Sequence, residues 1–468
     1  MKTVKSREAV LEEVFDAVSR AVTPLPQEAD AEKEFALKQI SRLESVLGED
    51  GTRIYFIGSA ARDTGLAGDR DIDLFVAYPT RFERDYIVER TKRAIAAVLP
   101  GKWEMHYAEH PYFQAVIEGF KVEIIPCFHA VPNSPIKSAV DRSPLHMDYL
   151  QKRLSVGQKR DVRVLKLLLK RAGVYGAEAS IGGFSGLLCE YLVLNYRSLY
   201  GLILASASWR PPVVVDIEAI YPNASPLEVS CRFSGAPLVV VDAIDATRNA
   251  AAAVSSYSLA VFSSLSSAIL VSKNPAAFFE PHPFVQLLPS KAKLLLKKRG
   301  TSVELLQVPI PANLVEDVYH PQVRKAAESL ASALQRAGFR LVGWNYRVVD
   351  GKALLLFESF DGMLPKLRVV QGPPVWFGAQ VEKFVSAHAR GVVRGPFIVG
   401  ERVAVELLQD NVSLAEELSR LCSSEEISFG ANLGPAFRRV SAADAFSGAG
   451  LELLSIYLSK KSFWFSSK

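Results

Sequence analysis

The chain has 468 residues, more than one hydrophobic core normally organises, so about three or four domains are expected. Hydrophobic residues at 49% and charged residues at 22% exclude a disordered chain, and a net charge of +5 is too small to argue for nucleic acid on its own. Cys127, Cys189, Cys231 and Cys422 lie far apart without CxxC spacing, no run of about 18 apolar residues offers a membrane span, and the N-terminus lacks a signal-peptide core. The four cysteines read as buried thiols and the chain as a cytoplasmic protein.

Residues 1–48 have helical periodicity, with Val10, Val14, Phe15 and Val18 on one face. From 53 to 131 the pattern changes to short β-branched and aromatic runs, RIYFI, DIDLFVAY, YFQAVIEG and FKVEIIPCF, which read as strands of a mixed sheet with a helix over 84–98. Residues 141–285 are mainly helical, interrupted over 213–241 by proline, glycine and valine runs. One helix there, 159–171, sets Val162, Leu165 and Leu169 on an apolar stripe and Lys159, Arg163, Lys166 and Lys170 on a basic one, and Gly173 ends it. The basic stripe is either a solvated face or a nucleic-acid contact.

From 301 the order is strand (VELLQV), helix (Val323, Ala327, Leu330 and Leu334 apolar), strand (FRLVGWNYRVV), then a hairpin turn at Asp350-Gly351 into KALLLFESF. A β-α-β-β order suggests a small ferredoxin-like α+β layer, which many RNA-binding domains share. Residues beyond 375 are mixed, and the aromatics of the terminal KSFWFSSK either stack on bases or pack on the protein, packing being the reading preferred here.

The chemistry lies between residues 55 and 125. Gly58-Ser59 is followed, eleven residues further on, by Asp71-Ile72-Asp73-Leu74. Residues two apart on a strand share a face, so Asp71 and Asp73 project together while Ile72 and Leu74 are buried behind them. Glu123, in the strand KVEII, adds a third carboxylate. Carboxylates so gathered repel one another unless a cation lies between them, and Mg²⁺ is the hard, oxygen-loving choice. Two such ions can serve an attacking hydroxyl and a leaving pyrophosphate, which is nucleotidyl transfer. Gly58-Ser59 opens a helical turn (Ala60-Ala61-Arg62) whose N–H groups, with the serine hydroxyl and Arg62, suit phosphate oxygens.

This constellation resembles the DNA polymerase β-type nucleotidyltransferases. GSAARDTGLAGDRDIDLFVAYP, YAEHPYFQAVIEGFKVEIIPC, IKSAVDRSPLH, RVLKLLLKRAGVYGAE, GGFSGLLCEYL and VVVDAIDATRNAAAAVS, in that order over residues 58–255, resemble the archaeal, or class I, CCA-adding enzymes. The resemblance implies an α+β multidomain fold, and template-independent addition and repair of the tRNA 3′-terminal CCA from CTP and ATP. It implies Asp71, Asp73 and Glu123 as ligands of two Mg²⁺ ions. The family usually has aspartate at the last position and often glutamate at the first, so the chain departs at both.

Ser59, Arg62, His146, Lys166, Tyr175 and Ser185 match positions at the triphosphate site, with Ser143 and Tyr107 as further candidates, and Arg248 in DATRN matches the position that reads the incoming base. Taken alone, His146 is a hydrogen-bonded structural histidine and Arg248 a capping or salt-bridged arginine. The implied domains are a catalytic head (1–140), a helical nucleotide-binding neck (141–285), an RRM-like RNA-binding body (286–375) and a C-terminal body and tail (376–468). The implied RNA contact is the acceptor stem and elbow of tRNA, with the basic residues Lys291, Lys293, Lys297, Lys298, Arg299, Arg324, Lys325 and Arg340 suited to backbone recognition. Oligomeric state is not legible and a homodimer stays open. The competing readings are a poly(A)-type or other nucleotidyltransferase, and an idle RNA-binding scaffold.

Overall fold

The computed structural model describes residues 6–107, 111–130, 136–408, 410–424, 426–434 and 436–465, with Tyr107 described by its backbone alone. Two compact units divide the chain, Met1–His282 with Ser462–Lys468, and Pro283–Lys461.

In the first unit, α1 (Arg7–Val22) begins where the Ser6 side chain accepts from the Ala9 N–H, and α2 (Pro26–Leu47) opens on a proline whose missing N–H costs nothing there. They lead into β1 (Arg53–Ile57), the single turn α3 (Gly58–Ala61), β2 (Asp71–Tyr78), α4 (Arg84–Val98), β3 (Glu104–Tyr107), β4 (Pro111–Ile117) and β5 (Phe120–Phe128). The five strands form one sheet in the order β1-β2-β5-β4-β3, with β2 and β5 parallel and the other pairs antiparallel. Alternation in β2 and β5 sends Ile72, Leu74, Val122 and Ile124 into a core closed by Phe35 and Leu43 of α2 and Ile87 and Ile95 of α4. The edge strand β3 has only four residues, EMHY, too short a run for its sequence to announce it.

The helical part comprises α5 (Ser143–Arg153), α6 (Val156–Ala172), α7 (Gly186–Tyr196), α8 (Leu199–Ser206), β6 (Val213–Asp216), α9 (Pro226–Arg232), β7 (Leu238–Val241) and α10 (Ser256–Val271). The valine runs at 213–241 become the parallel pair β6 and β7. Helix α6 starts on a capping box between Ser155 and Gln158 and ends at Gly173, whose φ of +71° suits glycine. Val162, Leu165 and Leu169 of α6 share a core with Tyr191, Leu192, Phe262 and Leu265. Two distant segments join that core, α1 through Leu11 and Phe15, and the C-terminal segment through Trp464. The Trp464 indole donates to Ser264 Oγ at 3.0 Å, and the Phe463 ring stacks on His282, so these two aromatics are packed while Phe465 is exposed.

The second unit begins with α11 (Pro289–Arg299), β8 (Ser302–Pro309), α12 (Glu316–Ala337), β9 (Leu341–Val349) and β10 (Lys352–Ser359). Asp350 and Gly351 both have positive φ, +49° and +68°, the backbone a two-residue hairpin turn requires. Next come β11 (Leu367–Pro374), α13 (Gly378–Ala387), β12 (Val392–Val399) and β13 (Arg402–Leu408), which make a separate three-stranded sheet in the order β11-β13-β12. After it follow α14 (Leu414–Cys422), β14 (Arg438–Arg439), α15 (Ala442–Ala445) and α16 (Gly448–Leu458). The main sheet is antiparallel in the order β14-β8-β10-β9. With α12 and α14 as its helices this is a β-α-β-β-α-β ferredoxin-like layer, interrupted after β10 by the smaller sheet. The chain leaves for that insertion and returns from it side by side: the Leu364 N–H donates to the Val412 carbonyl at 2.9 Å, and the Leu414 N–H to the Gly362 carbonyl at 3.1 Å.

Leu330 of α12 is completely buried between that sheet and α14. Leu330→Ala is expected to lower the unfolding free energy of this unit by about 2–5 kcal/mol, measured by urea unfolding of the full chain. A loss below about 1 kcal/mol would show that the site collapses around the smaller side chain.

Candidate active site

The parallel pairing of β2 with β5 sets Asp73 opposite Glu123 and Asp71 opposite Lys121. Strands so paired run about 4.8 Å apart, so side chains on one face in register are close neighbours. Burial pushes the Asp73 carboxyl up to about 7, and the charges of Glu123 and Asp71 push it the same way. Burial also raises Asp71, against the pull of Lys121. Lys121 Nζ stands 2.8 Å from Glu123 Oε1 and supplies a positive charge at the carboxylates. Among the described residues no three histidine, cysteine or carboxylate side chains are already gathered into a cation cage.

Gly58 leaves β1 with φ +91°, and a Cβ there would lie 2.1 Å from Asp73 Oδ2. Only glycine lets the backbone pass so close to the carboxylate. Gly58, Arg62, Asp73, Glu123, Ser143 and His146 are among the residues lining a cavity of about 310 Å³. A second cavity, of about 1040 Å³, is lined by Arg142, Ser185, Thr247 and Arg248 among others, and Leu187 lines both.

Of the remaining candidates, Arg62, Lys166 and Ser185 are already engaged with the protein. The turn at Ser59 is closed by a bond from the Thr64 N–H to the Ser59 carbonyl at 2.9 Å. Arg62 is buried and donates through Nε to Glu190 Oε1 at 3.0 Å, an oxygen that also accepts from Thr64 Oγ1 at 2.6 Å. Lys166, likewise buried, donates to the Thr64 carbonyl at 2.8 Å, and burial lowers its pKa. The Tyr175 hydroxyl and Lys166 Nζ converge on Gly186, 3.4 and 3.6 Å from where a Cβ would stand. Ser185 caps α7 by accepting from the Leu188 N–H at 3.2 Å. Tyr107 falls outside the described side chains.

The basic stripe of α6 is neither a solvated face nor an open nucleic-acid surface. Arg163 donates to the carbonyls of Gly65 and Asp63 at 3.0 and 2.8 Å, Lys166 to Thr64, and Lys170 to Asp69 Oδ1 at 3.1 Å. It holds the 63–69 loop between the glycine turn and β2. In the second unit Arg299 makes a two-pronged pair with Glu358 and Arg340 with Asp361, so these two basic residues serve the fold, while Lys291, Lys297 and Lys298 are exposed on α11.

His146 and Arg248 meet on one residue that the sequence reading passed over. Asp242, at the end of the buried strand β7, is completely inaccessible. It accepts from His146 Nε2 at 2.9 Å, the Tyr191 hydroxyl at 3.1 Å, the Ile244 N–H at 2.9 Å and Arg248 Nη1 at 2.5 Å. Burial alone would raise its pKa, but His146, the Ile244 N–H and Arg248 together hold it well below the usual carboxylate range. Glu190 was also missed, although an acid in the apolar helical run GLLCEYL is a visible signal.

Three family models match in succession: "Nucleotidyltransferase domain" over residues 36–146, "tRNA nucleotidyltransferase, second domain" over 160–280, and "CCA-adding enzyme, C-terminal domain" over 299–441. The chain is 34% identical over 380 residues to a CCA-adding enzyme of Methanoregula boonei, covering 80% of each. It is 35% identical over 391 residues to that of Halobacterium salinarum, covering 82% of this chain and 83% of the relative. To the enzyme of Pyrobaculum neutrophilum it is 34% identical over 396 residues, covering 84% and 90%.

The contact between Gly58 and Asp73 can be measured against a second glycine. Gly68 also has positive φ, +82°, but a Cβ there meets nothing within 4 Å. Gly68→Ala is expected to cost only the backbone strain, about 1–2 kcal/mol, and Gly58→Ala distinctly more in denaturant unfolding. Equal losses would mean that Asp73 swings aside freely and that the close approach has no structural weight.

Proposed function

The chain belongs to the family of archaeal CCA-adding enzymes and is a tRNA nucleotidyltransferase, and we propose that its transfer chemistry takes place at the Asp71, Asp73 and Glu123 carboxylates with two Mg²⁺ ions. The observation that carries this reading is the register of Asp73 against Glu123 beneath Gly58, which gathers acids at one wall of a cavity. The donor set fits the ion: all its atoms are hard carboxylate oxygens, and both burial and the neighbouring charges of Glu123 and Asp71, which raise the Asp73 pKa, would be offset by a divalent cation. Asp71, Asp73 and Glu123 would hold the two ions, which would supply activation of the tRNA 3′-hydroxyl for attack on the nucleotide α-phosphate and charge to offset the departing pyrophosphate. Glu123, paired with Lys121 in the structure, would be the third carboxylate to hold the ions, with a side chain one methylene longer than the family's usual aspartate.

Ser59, Arg62, Ser143, His146, Lys166, Tyr175 and Ser185 surround the triphosphate in this reading. Several of them have a second duty, since Arg62 and Lys166 are anchored to Glu190 and to the 63–69 loop. Their anchoring favours a preformed pocket. Arg248 reads the base in this reading, donating to the cytosine carbonyl or an adenine ring nitrogen, and the discrimination lies at the ring nitrogens, since cytosine N3 and adenine N1 are acceptors where uracil N3 and guanine N1 carry an N–H. That selects CTP and ATP without a template.

In this reading residues 1–140 hold the metals, 141–285 the nucleotide, and 286–375 with 376–468 the RNA, except that the 375/376 boundary falls inside the inserted sheet and the segment with Trp464 packs in the first unit. tRNA is recognised through its acceptor stem and elbow by backbone charge and shape, for which the exposed lysines of α11 are suited. Three of the four free cysteines are buried as expected and Cys231 is exposed instead, and an enzyme of tRNA ends with free thiols suits a reducing cytoplasm.

Asp73→Ala is expected to abolish both C and A addition with tRNA binding intact, measured by filter binding and labelled-nucleotide incorporation. Near-normal turnover would overturn the metal assignment. Arg248→Ala removes a charged donor to the base, an interaction of roughly 1.5–3 kcal/mol, so preference for CTP and ATP over UTP and GTP is expected to fall about 10- to 150-fold in kcat/KM. Unchanged ratios among the four nucleotides would mean that the base is read elsewhere.

A further inference from the structure

We propose that Asp242 is a specificity-positioning residue, which fixes the plane and direction of the Arg248 guanidinium and so sets the enzyme's choice of nucleotide. The proposal rests on Arg248 as the base reader and adds what makes it a reader. An arginine on a loop has several soft torsions, and a guanidinium free to turn would donate to any of the four bases in some rotamer. Here Nη1 is tied at 2.5 Å to a carboxylate that has no exposure at all. The guanidinium is planar, so pinning one nitrogen against a fixed acceptor restricts the directions of the others. Arg248 remains about one-third exposed, at 36%, and lines the larger cavity.

Asp242 is itself held from behind. His146 arrives from α5 and the Tyr191 hydroxyl from α7, two helices that bracket the carboxylate on its buried side. The backbone repeats the constraint: the Asp242 N–H donates to the Arg248 carbonyl at 3.1 Å, and the Ala250 N–H to the Val240 carbonyl at 2.8 Å. The Asn249 side chain accepts from the Val240 N–H at 2.9 Å, folding the DATRN loop back onto β7. A buried carboxylate needs its partners to exist as a charge, and the partners gain a rigid anchor in return. Residues at the phosphate end of the site, through His146, and at the base end, through Arg248, therefore share one immobile acceptor.

The test is a double-mutant cycle with Asp242→Asn, Arg248→Ala and the double variant. It is read as kcat/KM for CTP, ATP, UTP and GTP on tRNA lacking its CCA end, with tRNA affinity and thermal melting measured alongside. Asp242→Asn is expected to lower the preference for CTP over UTP and ATP over GTP by about 10-fold, leave tRNA affinity unchanged, and lower it no further in the Arg248→Ala background. Equal slowing with all four nucleotides would overturn the proposal, because a merely structural carboxylate acts on rate alone. Additive losses would overturn it as well, since Asp242 would then act independently of Arg248. If Arg248→Ala alone leaves the ratios untouched, the base-reading assignment itself fails; if only Asp242→Asn leaves them untouched, the reader stands and the positioning role falls. Should Asp242→Asn melt below assay temperature, Asp242→Glu keeps the charge one methylene further out and is expected to give a smaller loss of preference, full retention counting against the proposal.

Discussion

Like charges held side by side are the constraint around which the first unit is organised. Parallel pairing of β2 with β5 fixes Asp73 against Glu123, and Gly58 brings the backbone against the same carboxylate, so the acids cannot spread apart to lower their repulsion. That energy is carried by the sheet, whose apolar reverse face is buried under α2 and α4. The core beneath β2 and β5 thus holds in place an arrangement that is unfavourable on its own.

A second organising feature is the loop from 63 to 69, which connects the glycine turn to β2. Its carbonyls accept from Arg163 and Lys166 of α6, and Thr64 shares Glu190 of α7 with Arg62. Buried cations are costly unless bonded, and here the partners they find are backbone carbonyls of the loop and one buried acid. Helices and sheet of the first unit are thereby joined at the loop that follows the glycine turn.

Much of this was legible because it is local. The D-apolar-D alternation of β2, the Asp350-Gly351 turn and the terminating Gly173 each depend on residues within a few positions, and the structure has them where periodicity puts them. What escaped is what long-range packing decides. Asp242 looks like any acid at a strand end until α5 and α7 bring His146 and Tyr191 to it. The lysines and arginine of α6 have the spacing of a solvated stripe, and only the tertiary fold brings the 63–69 loop against them. The fourth strand of the ferredoxin-like layer, two residues at Arg438–Arg439, is too short to show in any periodicity. The departure of Glu123 from the family's aspartate was visible, but not that Lys121 would bond it.

The insertion after β10 enters and leaves the second unit on neighbouring backbone segments, bonded to each other at Leu364 with Val412 and at Gly362 with Leu414. Its two ends are already closed by the host sheet, so its length is decoupled from the register of every strand outside it. Loop-closure entropy rises only as the logarithm of length, about 0.6 kcal/mol for each doubling, so such a segment can lengthen, shorten or be exchanged with little effect on the stability of its host. In this fold the interior of the ferredoxin-like layer and the surface offered by the inserted sheet are therefore free to diverge at different rates, the first held by its core and the second answerable only to whatever it touches.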